Sequence, residues 1–164
     1  MGKNTEKFCD TASPKKPVIN ALISIDGKIP LFLRSNNGES WYDLPGGKPE
    51  PEDKNHNDTI LREITEELGI RARVLKNAPV YVMQHPHLPD TSKVFITCAY
   101  VSGTPVNSLP QEHNALVLVD PPEAIALLGD RISDDVRDAL RKINDIPAAR
   151  AAAPRRQQIS TLSN

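Results

Sequence analysis

The chain has 164 residues, 38% apolar and 25% charged, which suits one globular domain around a single core. A net charge of −1 gives no global field toward nucleic acid or an anionic membrane surface, and no apolar run is long enough to span a bilayer. Cys9 lies in a polar leader and Cys98 in an apolar run, so two free thiols in a reducing, cytoplasmic setting are expected.

Residues 1–16 are polar, carry Glu6 and Asp10, and lack both an apolar signal core and an Arg-rich transit pattern, so they are expected to be a flexible leader. Residues 18–25 are rich in β-branched side chains and predict a strand. Asp26-Gly27 then signals a hairpin turn, with residues 28–34 as the partner strand and Pro30 leaving one of its sides unpaired. Residues 35–40 have the composition of a loop, and residues 41–44 form a short strand that runs into Pro45-Gly46-Gly47.

Asn55, Asn57 or Asp58 caps a helix that Gly69 ends, and Asp58 is spaced to pair with Arg62. A strand falls within residues 71–84, best at 80–83, with a break at Pro79. Residues 86–92 are a loop, 93–101 the clearest strand, and 115–119 another. Helices are expected over 121–128, opened by Pro121-Pro122, and over 133–143, capped by Ser133. From residue 147 the chain has no apolar face and Pro154 interrupts it, so 147–164 reads as a disordered tail carrying Arg150, Arg155 and Arg156. Alternating strands and helices predict an α/β fold over residues 17–146.

The chemistry concentrates in Arg62-Glu63-Ile64-Thr65-Glu66-Glu67-Leu68-Gly69-Ile70. On a helix advancing about 100° per residue, Glu66, Glu63 and Glu67 share an arc of roughly 100°. Ile60, Leu61, Ile64 and Leu68 form an adjoining stripe able to face a core. Three like charges on one arc repel, and a hard divalent cation that takes carboxylate oxygens would relieve them.

Residues 62–70 resemble the second half of the Nudix box, R-E-U-x-E-E-x-G-U with U apolar, and Leu44-Pro45-Gly46-Gly47-Lys48 resembles its strand-end loop. Two departures stand out. After five intervening residues Gly47 is followed by Asp53 where the family has Glu, and eight residues rather than seven separate Asp53 from Arg62. The resemblance implies a Nudix-like α/β/α sandwich with a mixed sheet, and hydrolysis of a phosphoanhydride in a nucleoside diphosphate-linked compound with Mg²⁺, or Mn²⁺ in its place. It implies Glu66 and Glu67 as metal ligands, Glu63 as ligand or general base, and the Gly46 carbonyl as a further ligand. Arg62 orients the site, and either Glu52 or Asp53 braces the loop through it. Glu112, in Gln111-Glu112-His113, matches a later-loop Glu that ligates metal or acts as base in some relatives.

Gly47, Lys48 and Arg34 are candidates to meet phosphate, and Trp41 or Tyr42 to stack on a base. His85 and His87 have no third ligand near them in sequence, which argues against zinc. The expected partner is a small nucleotide, with no nucleic acid or membrane and with monomer and homodimer both open. Compactness favours a nucleoside triphosphate cut to monophosphate and pyrophosphate. Pro86, sixteen residues past Ile70, echoes a proline of ADP-ribose-cleaving relatives. A nucleotide-binding module without catalysis is the contrasting reading.

Overall fold

A computed structural model describes residues 16–147. Among these residues eight strands form: β1 (Val18–Leu22), β2 (Ile29–Asn36), β3 (Glu39–Asp43), β4 (Gly46–Gly47), β5 (Arg71–Val74), β6 (Tyr81–Gln84), β7 (Ser92–Ser102) and β8 (Ala115–Val119). Three helices accompany them: α1 (His56–Leu68), α2 (Pro121–Leu128) and α3 (Asp134–Lys142). The strands make two sheets, β4-β1-β7-β5 with β6 also on β7, and β3-β2-β8. β1 and β7 run parallel and the other pairs antiparallel, so the larger sheet is mixed.

Period-two alternation sends the two central strands into two cores. Ile19 and Ala21 of β1, with Val94, Ile96 and Cys98 of β7, meet Ile60, Ile64 and Leu68 of α1. Leu22 and Phe95 face the other way, toward Ala124 and Leu128 of α2 and Val136 and Leu140 of α3. The result is the expected α/β/α sandwich, with α1 alone on one side. Asn55 caps α1 by accepting from the Asp58 amide at 3.0 Å, and Gly69 ends it at φ 66°.

Several local expectations change. Asp26 and Gly27 do form a tight turn with positive φ, but it closes only the Ile25–Lys28 bridge. β1 and β2 then diverge into different sheets, yet both feed both cores: Ile19, Ala21 and Phe32 enter one, and Leu22, Ile29 and Leu31 the other. The predicted loop at 35–40 is instead a β2–β3 hairpin whose turn is Asn37-Gly38, both at positive φ as a two-residue hairpin turn requires. Residues 71–84 hold two strands, each pairing with a different part of β7. Pro30 pairs with β8 alone, since pairing with β3 begins at Phe32. All but the last residue of the leader and all but the first residue of the tail lie outside the described residues.

Candidate active site

Helix α1 grades its three carboxylates by distance from the apolar stripe. The Glu66 side chain, farthest from the stripe, is 48% exposed; Glu63 is 12% exposed; Glu67, next to the stripe, is 3% exposed. Burial, then the Glu67 charge, pushes the Glu63 carboxyl up to about 7. One Glu67 oxygen, Oε2, is buried without a hydrogen-bond partner.

Strand β4 packs across this face. A side chain on Gly47 would collide with the Glu63 carboxylate, and one on Gly46 with the Ile19 backbone carbonyl. Gly46, against backbone and at positive φ, therefore requires glycine, while at Gly47 an added side chain would push the Glu63 carboxylate aside. Lys48 follows, its side chain exposed at the rim of the loop.

Arg62 ties loop to helix. Its Nε and one terminal nitrogen donate to the two Asp53 oxygens at 3.1 and 2.9 Å, a bidentate fork, and it also donates to the Lys48 carbonyl at 3.1 Å. Its other terminal nitrogen reaches Glu63 at 3.0 Å and Glu66 at 3.1 Å. Asp53 also accepts from the Glu50 amide and the Thr59 hydroxyl, so Asp53, not the exposed Glu52, contacts Arg62. The guanidinium holds the Asp53 carboxyl well below the usual carboxylate range. The expected Asp58–Arg62 pair gives way, since Asp58 accepts from the Lys54 amide. Among the described residues no three His, Cys, Asp or Glu side chains form a ready metal cage, and Arg62 pairs with both Glu66 and Glu63.

Beneath the helix, Glu67 lies 4.0 Å from Arg34 of β2 and 3.5 Å from Nε2 of His113. His113 is buried and stacks on Phe32 at 4.1 Å between ring centroids. Glu112 is exposed, and its neighbour His113 is the residue that faces the cluster. The Glu-His pair in sequence marked the place, and only the fold distinguishes which member turns inward.

Beside the loop opens a cleft of about 690 Å³. Arg34, Trp41, Asp43, Gly47, Lys48 and Arg131 line it. The Arg131 guanidinium covers the Trp41 ring at 4.8 Å. Tyr42 instead packs against the second core. His85 and His87 also border the cleft, but His85 Nδ1 accepts from the amides of His87 and Leu88 and His87 faces Asp130 at 3.5 Å, a turn-stabilising arrangement. Cys98 is a free, buried thiol whose pKa burial pushes up to about 12, and Cys9 lies outside the described residues.

Comparison with known proteins matches the NUDIX domain profile to residues 14–140. The chain is 34% identical over 110 residues to the CTP pyrophosphohydrolase of Escherichia coli (strain K12), covering 66% of this chain and 78% of that one. Among solved structures it resembles the E. coli ORF135 protein, with 27% identity, a TM-score of 0.57, and coverage of 84% of this chain and 94% of that one. A UDP-X diphosphatase also matches, with 25% identity, a TM-score of 0.60, and coverage of 85% and 67%.

Proposed function

The chain belongs to the NUDIX family and is a hydrolase of nucleotide-linked compounds, and from that premise we propose that it cuts a nucleoside triphosphate to a monophosphate and pyrophosphate. The observation that carries this reading is the two-glycine loop pressed on Glu63, with Glu67 below it and the cleft alongside. The CTP pyrophosphohydrolase relative supports the triphosphate and points to a pyrimidine.

The donors suit a divalent cation, Mg²⁺ or Mn²⁺. Two crowded carboxylates share one face, one of them with a buried oxygen that has no hydrogen-bond partner. Glu66, Glu67 and the Gly46 carbonyl would hold it, with Glu63 either a further ligand or the general base. When bound, such an ion neutralises phosphate charge and makes water a better nucleophile. Glu63, with its carboxyl near neutrality, is suited to take the proton of the attacking water. Arg34 and Lys48 at the cleft supply positive charge for the phosphates, and Trp41 offers an apolar surface to the nucleoside. Arg62 positions Glu63 and Glu66 and fixes the loop through Asp53. Glu112, exposed on its loop, is held in reserve as a second base.

A nucleoside diphosphate joined to another group is the second reading, supported by the UDP-X diphosphatase neighbour. Incubation with Mg²⁺ and a panel of CTP, UTP, dGTP, oxidised dGTP, a UDP-sugar and ADP-ribose separates the readings by chromatography. Pyrophosphate with a nucleoside monophosphate is expected. A clearly higher kcat/KM for the UDP-sugar or ADP-ribose would overturn the choice, and no turnover of any compound would favour a binding module.

A further inference from the structure

Among the described residues, five of the six buried side-chain polar atoms without a hydrogen-bond partner belong to one connected group: Arg34, Glu67, Asn107 and His113. Leaving such atoms unpaired costs free energy, so stability alone would not gather them in one place. His113 shows the conflict best. It is 1% exposed, its ring lies on Phe32 at 4.1 Å, and neither ring nitrogen is hydrogen-bonded. An apolar ring would stack there without leaving a polar atom unpaired. Packing is therefore a poor reason for an imidazole at this position.

What the ring faces supplies another reason. Its Nε2 lies 3.5 Å from Glu67 Oε2, and neither atom has a hydrogen-bond partner. A ring nitrogen able to donate and a carboxylate oxygen thus stand opposite each other, a few tenths of an ångström beyond a hydrogen bond. The connection between β7 and β8, which carries His113, is fastened to the same turn of α1. The Val106 and Ser108 amides donate to the Leu68 and Glu67 carbonyls, each at 3.0 Å. Asn107 donates to the His113 carbonyl at 2.8 Å, and the His113 amide to the Leu109 carbonyl at 3.0 Å. One connection therefore reaches both the backbone and the side chain of Glu67. The other carboxylate oxygen, Oε1, lies 4.0 Å from Arg34 at the border of the cleft.

We propose that His113 is a positioning residue for the metal site: its Nε2–H donates to Glu67 Oε2 and fixes the carboxylate, so that the other oxygen is left for a divalent cation. Hydrogen bonds that orient a ligating carboxylate are worth about 10–100-fold in metal affinity or activity. The inference rests on the reading of Glu67 as a metal ligand and goes further by naming the group that orients it.

Binding of Mn²⁺ to the full chain without nucleotide, read from the free-ion electron paramagnetic resonance signal, tests it. The parent, Glu67→Gln, His113→Gln, His113→Met and His113→Phe are compared, together with their melting temperatures. Glutamine and methionine are similar in length, but only the amide carries an N–H donor, while phenylalanine keeps a ring on Phe32. Mn²⁺ affinity should fall about tenfold or more in His113→Met and His113→Phe, and clearly less in His113→Gln, with all three folded. If one of the three does not fold, the others decide. If none folds, His113 serves the fold and the proposal falls. Parental affinity in the Met and Phe variants, or an equal loss in the Gln and Met variants, overturns the role of His113 while leaving the metal assignment standing. Unchanged affinity in Glu67→Gln overturns that assignment and the proposal with it.

Discussion

Glu63 and Glu67 stand four residues apart on α1, and the Glu67 carboxylate adds to burial in making the Glu63 charge more costly. The linkage sign follows from the raised Glu63 pKa. Below about 4.5 both folded and unfolded chains hold the proton, and as pH rises to about 7 the unfolded chain releases it first. Stability should therefore fall across pH 4.5 to 7 when divalent cations are chelated, and level off above. Melting curves in EDTA should show this decline in the parent and a weaker one in Glu63→Gln, and added Mg²⁺ should raise the parental melting temperature at pH 7.5. A parental curve flat over that window would remove the coupling. Glu66→Gln and Glu67→Gln should each reduce turnover by about a hundredfold or more while the chain stays folded, since an amide is a poorer ligand for a hard cation. Near-parental rates for both at saturating Mg²⁺ would sink the proposed metal assignment.

At the scale of elements, the loop between β4 and α1 is held by one side chain. Asp53 accepts from Arg62 twice, from Thr59 and from the Glu50 amide. Asp53→Ala should lower the midpoint of urea unfolding, since it removes every one of these hydrogen bonds at once. Its turnover should fall far less than that of Glu66→Gln. A loss as deep as in Glu66→Gln would instead give Asp53 a direct part in the chemistry. Gly47→Ala separates the two properties in the opposite sense. The added methyl group meets the movable end of Glu63 rather than backbone, so kcat should drop with only a small change in melting temperature.

Over the whole molecule, the family profile ends at residue 140 but the packing continues. Ile143 is buried in the second core, and Asn144 accepts from Ser24 at 2.6 Å and donates to the Gly27 carbonyl at 3.0 Å. These contacts tie the end of the domain to the turn after β1, and we infer a domain boundary near residue 146. A chain ending at residue 147 should keep the parental melting temperature. One ending at residue 142 should lose several degrees, since a buried isoleucine is worth about 2–5 kcal/mol. Equal melting temperatures for the two would move the boundary inward. Among the described residues no helix is long and apolar enough to cross a membrane.

The α1 face, the two-glycine loop and most strands are legible in the chain before folding, because those signals are local. Helical spacing put Glu63, Glu66 and Glu67 on one arc beside Ile60, Ile64 and Leu68, and the structure keeps that arrangement. Asn37-Gly38 carried a hairpin signal in plain view, obscured by its polar surroundings. Tertiary structure alone decided the rest, because the partners come from distant segments. His113 reaches Glu67 from 46 positions away in the chain, and only packing against Phe32 turns it inward while Glu112 stays exposed. Lys93, read in sequence as the polar start of a strand, is buried because β7 is central to its sheet and its ammonium finds Asp43 there. Periodicity predicts which face of an element is buried, but which charged groups meet across that burial depends on how the layers are brought together.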